Sequence, residues 1–355
     1  MTVMRHQFVE RETGTVKTEK LLGDKAIRFL YSTARENAPR FFRVITSARI
    51  SNDLLAFIKF DAKIGFPSRS SIESFGVNLR ECLNPSEFTT LRKVFERRIR
   101  YWDCRPMSNE PTDVVSPADS KVIVGSLNNT SDIFLKEKFF NFEELLGKES
   151  KRWFEIFEAG DFAVFRLTPE KYHYNHMPVS GLVLDHYEIS GDYHSCNPSA
   201  VVNVVTPFSK NRRIVTIIDS DVPGGTGVGI VAMVEVAALM IGDIVQAYSE
   251  YRYDNPGPLM LDMFLKKGVP KSLYRPGSST DVLLFQRDRI KFCDDLVENL
   301  RLSGVTSRFS EGFGRPLVET EVTVRSTIGY ATQRSGQNLP PSPADDESSH
   351  WGRDL

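Results

Sequence analysis

Cysteine is scarce in this sequence. Four cysteines, Cys82, Cys104, Cys196 and Cys293, are scattered over 355 residues without a C-x-x-C pair, which argues against a disulfide-stapled scaffold or a closely spaced zinc site. An overall charge of either sign is lacking too: 45 Lys and Arg face 46 Asp and Glu, a net −1, and no nucleic-acid partner is expected. Long hydrophobic runs are missing. The opening MTVMRHQFVERETG has no apolar core of the kind a secretory signal needs. The most apolar segment, VGIVAMVEVAALMIGDI from Val228 to Ile244, carries Glu235 and Asp243 and falls short of the roughly 20 residues of a spanning helix. It is expected as a buried strand, or strand plus helix, with Glu235 needing a partner inside the core. What remains is an ordinary soluble globular chain suited to a reducing, cytoplasmic compartment.

The charge that is present is unevenly placed. Residues 1–110 hold 20 Lys and Arg against 13 Asp and Glu, so the first third is basic and the remainder acidic. Its periodicity is helical: LLGDKAIRFLYSTAR sets Leu22, Ala26, Ile27 and Leu30 on one face, and FFRVITSARISNDLLAFIKF repeats apolar residues at three- and four-residue spacing, flanked by Lys25, Arg28, Arg35, Arg43 and Arg49. Such a basic amphipathic region suits either a solvated helical subdomain or an anionic membrane surface. From residue 111 the pattern changes to short β-rich runs, KVIVGSL, DFAVFRL, GLVLDHYEI and RRIVTIIDS, separated by turn residues. The expected fold is α+β: a helical region 1–110, a β-rich domain 111–330 and a disordered Pro- and Ser-rich tail 331–355.

Candidate chemistry is confined to a few places. His173 and His176 stand together in YHYNHMPVSG, but a zinc site needs a third ligand, and Asp185, His186 and His194 offer no recognisable spacing, so no metal is expected. Asp119 ends the turn of VVSPADSKV ahead of a strand; the same four letters, SPAD, recur at residues 342–345 without one. Ser278 and Ser279 follow Gly277 and lead into DVLLF. Asp119, His176 and one of these serines form an Asp…His…Ser series able to activate a hydroxyl. The G-x-S-x-G elbow of α/β-hydrolases is missing. GGTGVG, residues 224–229, lacks the P-loop Lys and the dinucleotide spacing and reads as an inter-strand turn.

In this order, SPADSKV, YHYNHMPVSG, NRRIVTIID, KGVPKSLYRPGSST and DVLLF resemble the successive signatures of the phosphatidylserine decarboxylase family. The resemblance implies a proenzyme that cleaves itself between Gly277 and Ser278, converting Ser278 into a pyruvoyl group; Ser279 is the precursor if the register is shifted by one. It implies that Asp119 and His176 drive the processing and that His173 contacts substrate. Serine attack on the preceding carbonyl exchanges amide for ester, and elimination and hydrolysis leave the keto group, which condenses with the substrate amine as a Schiff base and draws off the electrons released with carbon dioxide. Glycine at 277 permits the strained backbone this requires. The implied activity is conversion of phosphatidylserine to phosphatidylethanolamine without a metal, by a peripheral membrane protein at an anionic surface, with a homodimer permitted. The alternatives are a soluble aromatic amino-acid decarboxylase of the same family and an unprocessed binding module. Tyr174, "NRRI" and the lack of acidic residues in KGVPKSLYRPG depart from the family pattern and bear on the substrate.

Overall fold

The structure, a computed structural model, describes residues 5–21, 23–61, 69–74, 76–127, 139–147, 151–204, 206–239, 243–277 and 279–332. Leu22, Ser278, the second SPAD copy and the tail from residue 333 lie outside the described residues.

Each β-rich run forms a strand: Ser120–Ser126, Asp161–Leu167, Gly181–Ile189 and Arg213–Asp219, joined by Ile230–Ala237 and Ser279–Phe285. They build a ten-stranded sheet in the order Phe264–Leu265, Gly181–Ile189, Arg213–Asp219, Ile230–Ala237, Ser279–Phe285, Asp161–Leu167, Ser120–Ser126, Thr320–Val322, Gln7–Glu10, Thr15–Thr18. Ser279–Phe285 lies inside it, antiparallel to Ile230–Ala237 on one side and to Asp161–Leu167 on the other. Both faces of the central strands are covered, which is why these read as continuous apolar runs. Phe162, Val164, Val282 and Leu284 point into one buried cluster, and their alternating neighbours Ala163, Phe165, Leu283 and Phe285 into another. GGTGVG closes the hairpin between Arg213–Asp219 and Ile230–Ala237, with Gly227 N–H donating to the Ser220 carbonyl.

A three-stranded sheet, Ile244–Gln246, Pro270–Tyr274 and Tyr174–His176, carries the histidine motif, and another unites Ile290–Phe292, Thr327–Ala331 and Asp113–Val115. The apolar segment 228–244 supplies the strand Ile230–Ala237 and, at Ile244, the first residue of a strand in the histidine-bearing sheet. Among the described residues no helix is long and apolar enough to cross a membrane.

The first third differs in detail from the helical expectation. Its first elements are a hairpin, Gln7–Glu10 with Thr15–Thr18, whose first strand runs parallel to Thr320–Val322 at the sheet edge. Two four-residue strands carry no periodicity, and the partner lies some three hundred residues away. Helix then follows from Asp24 to Asn37, breaks at Ala38 before Pro39, where helical backbone is disfavoured, and resumes over Pro39–Ser47 and from Arg49 to Asp61. In the first helix the buried stripe is Leu30, Tyr31 and Ala34, with Ile27 half-buried and Ala26 exposed. The stripe therefore runs one turn further along than the sequence pattern indicates.

Candidate active site

Gly277 lies where the chain leaves the histidine-bearing sheet for the large one. Pro270–Tyr274 belongs to the histidine-bearing sheet and Ser279–Phe285 to the large one, with the described residues Arg275, Pro276 and Gly277 following the first of these strands. The upstream strand pairs with the histidine motif, Pro270 opposite His176 and Leu273 opposite Tyr174, and Tyr274 N–H donates to the His173 carbonyl at 3.0 Å. Gly277 has φ 154°, a value L residues rarely adopt. Ser279, opposite Leu167 and Ala237, is fully buried.

His176 is buried and both ring nitrogens are engaged. Nδ1 donates to the Gly268 carbonyl at 2.9 Å, which fixes the tautomer and leaves the lone pair on Nε2, where the Tyr172 hydroxyl lies at 3.0 Å. Tyr172 is bonded in turn to the Tyr253 hydroxyl at 2.7 Å. Burial pushes the His176 pKa down to about 3 and outweighs the Gly268 carbonyl, so the ring is a neutral base at ordinary pH.

Asp119 sits beside this histidine through the backbone, since His176 N–H donates to the Pro117 carbonyl at 2.7 Å. Its carboxylate is held elsewhere: Arg105 reaches Oδ1 at 3.0 Å and Oδ2 at 2.7 Å, and Val324 N–H donates to Oδ1 at 2.8 Å. Burial raises its pKa, but Arg105 outweighs that and holds it below the ordinary carboxylate range. The structure thus brings Asp119 and His176 into one neighbourhood without a hydrogen bond between their side chains, and a carbonyl orients the imidazole where a triad would use the carboxylate.

His173 is fully buried and stacked on Phe95 at 3.6 Å, with neither ring nitrogen bonded. Burial drives its pKa well below the ordinary value. Asn175 Oδ1, Ser279 Oγ and Asp281 Oδ2 are likewise buried without partners. All belong to the histidine motif or to the strand that starts after the junction. Buried polar atoms ordinarily find partners, so these are candidates for contact with a ligand.

Sequence reasoning identified Glu235 as needing a partner, and the structure supplies Lys271 Nζ at 2.5 Å, with Ser272, Asn175 and Gln246 bonded to the same carboxylate. Burial raises the Glu235 pKa, but Lys271 and these donors hold it below the usual range. Arg105, Tyr172, Tyr253, Lys271 and Asp281 stand in no motif that marks them as site residues; only the buried charge of Glu235 points toward a polar cluster.

Two further described histidines have partners of their own. His186 bonds to Thr216 and His194 stacks on Phe42. Among the described residues one group, His6, Glu19 and Glu319, has metal-like spacing. Arg166 bonds to both carboxylates of that group, at 2.6–3.0 Å, and already supplies the cation. The four cysteines are free thiols.

Residues 91–312, which include Arg105, Asp119, the histidine motif, Glu235, Lys271 and the Gly277–Ser278 bond, match the family model described as phosphatidylserine decarboxylase. The chain is 28% identical over 312 residues to the phosphatidylserine decarboxylase proenzyme of Fusobacterium nucleatum, covering 84% of this chain and 93% of that protein. It is 31% identical over 296 residues to the Chlamydia trachomatis proenzyme, covering 82% and 90%, and 27% identical over 325 residues to that of Clostridium perfringens, covering 91% and 99%. The chain belongs to the phosphatidylserine decarboxylase family of carboxy-lyases.

Proposed function

We propose that this chain is a self-processing proenzyme that cuts itself between Gly277 and Ser278 and then decarboxylates phosphatidylserine through a pyruvoyl group derived from Ser278, or from Ser279 in the shifted register. The observation that carries this reading is the set of unpartnered buried atoms on His173 and Asn175 of the histidine motif and on Ser279 and Asp281 of the strand that follows Gly277. Such atoms suit a carbonyl group and a bound polar substrate. When formed, that group supplies an electron sink for the carbon–carbon bond cleavage.

The chain's own residues then have distinct tasks. His176 Nε2, bare of a proton because Nδ1 donates to Gly268, takes the serine proton during processing. Asp119, locked by Arg105, steadies the turn whose Pro117 carbonyl holds the His176 backbone, and its negative charge favours the imidazolium that forms. His173 offers two free nitrogens to substrate in a dry setting. Gly277 supplies backbone freedom at the scissile bond.

A lipid substrate is supported by the helical region. Phe29, Phe41, Val44, Leu54, Phe57 and Ile58 are each more than half exposed, and exposed Lys25, Arg28, Arg40 and Arg43 lie among them. Apolar residues exposed beside cations suit an anionic membrane face. The test is an intact mass spectrum of the purified chain: two fragments, the smaller starting at a modified residue 278, are expected. Ser278→Ala should stay whole. A small fragment starting at 279 selects the shifted register, and a wild-type chain that never cleaves supports the unprocessed binding module.

A further inference from the structure

Asp281 is fully buried, two residues beyond Ser279 on the same strand. Side chains at i and i+2 share a face, about 7 Å apart. Ser279 and Asp281 therefore look into the same inter-sheet layer, and Ser279 Oγ and Asp281 Oδ2 are both without partners there. Directly across the ladder from Asp281 stands Glu235. The lysine of this layer, Lys271, is bonded to Glu235 and Gln246.

The proton count of the layer follows from these contacts. An ionised Asp281 would place a second buried negative charge opposite Glu235, with no cation bonded to it and one oxygen bare. Two carboxylates sharing a dry site do not both ionise. The Tyr274 hydroxyl fits the neutral form. It accepts from Val236 N–H at 3.1 Å and lies 3.0 Å from the Thr280 carbonyl and 2.7 Å from Asp281 Oδ1. With Asp281 protonated, Tyr274 donates to Thr280 and accepts from the acid, and every group in the chain of bonds is served. Burial, then the Glu235 charge, pushes the Asp281 pKa well above the ordinary carboxylate value.

We propose that Asp281 is a catalytic acid, a carboxyl group kept protonated beside the serine-derived end of the small chain, which delivers its proton to the substrate carbon that has lost carbon dioxide. That carbon keeps the electron pair of the broken carbon–carbon bond. A C–H bond forms there as the Asp281 O–H bond breaks, and the carboxylate left behind regains a proton from water. Glu235, held charged by Lys271, keeps the Asp281 proton in place between turnovers. This inference rests on the self-processing reading and, because Asp281 shares its strand face with Ser279, on the shifted register.

Asp281→Asn keeps the shape and can still bond to Tyr274, but it has no acid proton. The variant should cleave like wild type and decarboxylate more slowly by about 10²–10⁴-fold, the range for loss of a general acid. Independently of activity, difference infrared spectroscopy of wild type against Asp281→Asn at neutral pH should reveal the carbonyl band of one undissociated carboxylic acid. Absence of that band, or an Asp281→Asn chain that cleaves and turns over at the wild-type rate, overturns the proposal. So does an Asp281→Asn chain that folds but stays whole, because the proton would then serve processing. A wild-type chain that never cleaves instead defeats the underlying reading, and the infrared band reports on the proton in either case.

Discussion

Arg105 closes on Asp119 at two points, Nε to Oδ1 at 3.0 Å and Nη2 to Oδ2 at 2.7 Å, while the same Nη2 lies 3.1 Å from Glu81. The two partners are therefore unequal. Arg105→Gln leaves a buried carboxylate with the Val324 N–H as its main donor and should cost about 3–5 kcal/mol of stability. Asp119→Asn leaves the guanidinium with Glu81 and an amide oxygen that still accepts, so it should cost far less while slowing self-cleavage, because the charge that favours His176 protonation is gone. Urea unfolding and a cleavage time course on both variants check this. Equal destabilisation by the two substitutions would contradict the asymmetry.

His176 makes stability depend on pH in a predictable direction. The folded-state pKa of about 3 lies below the ordinary 6.5, so between these values the unfolded chain binds a proton that the folded chain refuses. The stability linked to this residue is complete above pH 6.5 and falls as pH drops toward 3, by on the order of 4–5 kcal/mol in total at 1.36 kcal/mol per unit. In His176→Gln this loss should vanish, so the gap in unfolding free energy between wild type and variant narrows steadily from pH 7 to pH 4. A gap independent of pH would show that the ring is not held neutral by burial.

What the sequence reveals of this site is local. His173 and His176 lie three residues apart in one motif, and Gly277 adjoins the serines, so each could be read from neighbouring letters. Arg105 and Asp119 are separated by 14 residues, Glu235 and Lys271 by 36 and Tyr172 and Tyr253 by 81. Those pairings are set by sheet register, which no short window contains. The same reason hid the first hairpin, just before which His6 bonds to Glu319 from 313 residues away. The central strands were legible because burial on both faces makes them apolar throughout, whereas the first helix was read one turn early because Tyr31 and Ala34 complete its buried stripe.

Cleavage at residue 277 should not separate the fragments. The new small chain begins at the strand Ser279–Phe285, which pairs along all seven residues with Asp161–Leu167 and with Ile230–Ala237, both in the large chain. The large chain ends just after Pro270–Tyr274, itself paired on two sides. Both fragments are expected to co-elute in gel filtration and to part only in denaturant. Release of the small chain in native buffer would mean that the sheet order changes after processing.

Membrane attachment should have two separable components. Arg40 and Arg43 are exposed among the apolar residues of the helical region, and each cation near an anionic surface contributes on the order of 1 kcal/mol, screened beyond a Debye length. Changing both to Gln should weaken binding to phosphatidylserine-containing vesicles at low salt and leave high-salt binding unchanged. Phe57 and Ile58, 58% and 57% exposed, should act the other way. Burying such a side chain is worth at least about 1.5 kcal/mol, so Phe57→Ser with Ile58→Ser should cost more than tenfold in partitioning at every salt concentration. Because both residues are already exposed, the unfolding midpoint should stay put. If vesicle binding is absent even at low salt while a free amino acid is turned over without lipid, the substrate is soluble, and these exposed side chains need another explanation. Self-cleavage would stand unaffected, since the proposal places it on His176, Asp119 and the bond after Gly277 and not on the helices that precede residue 61.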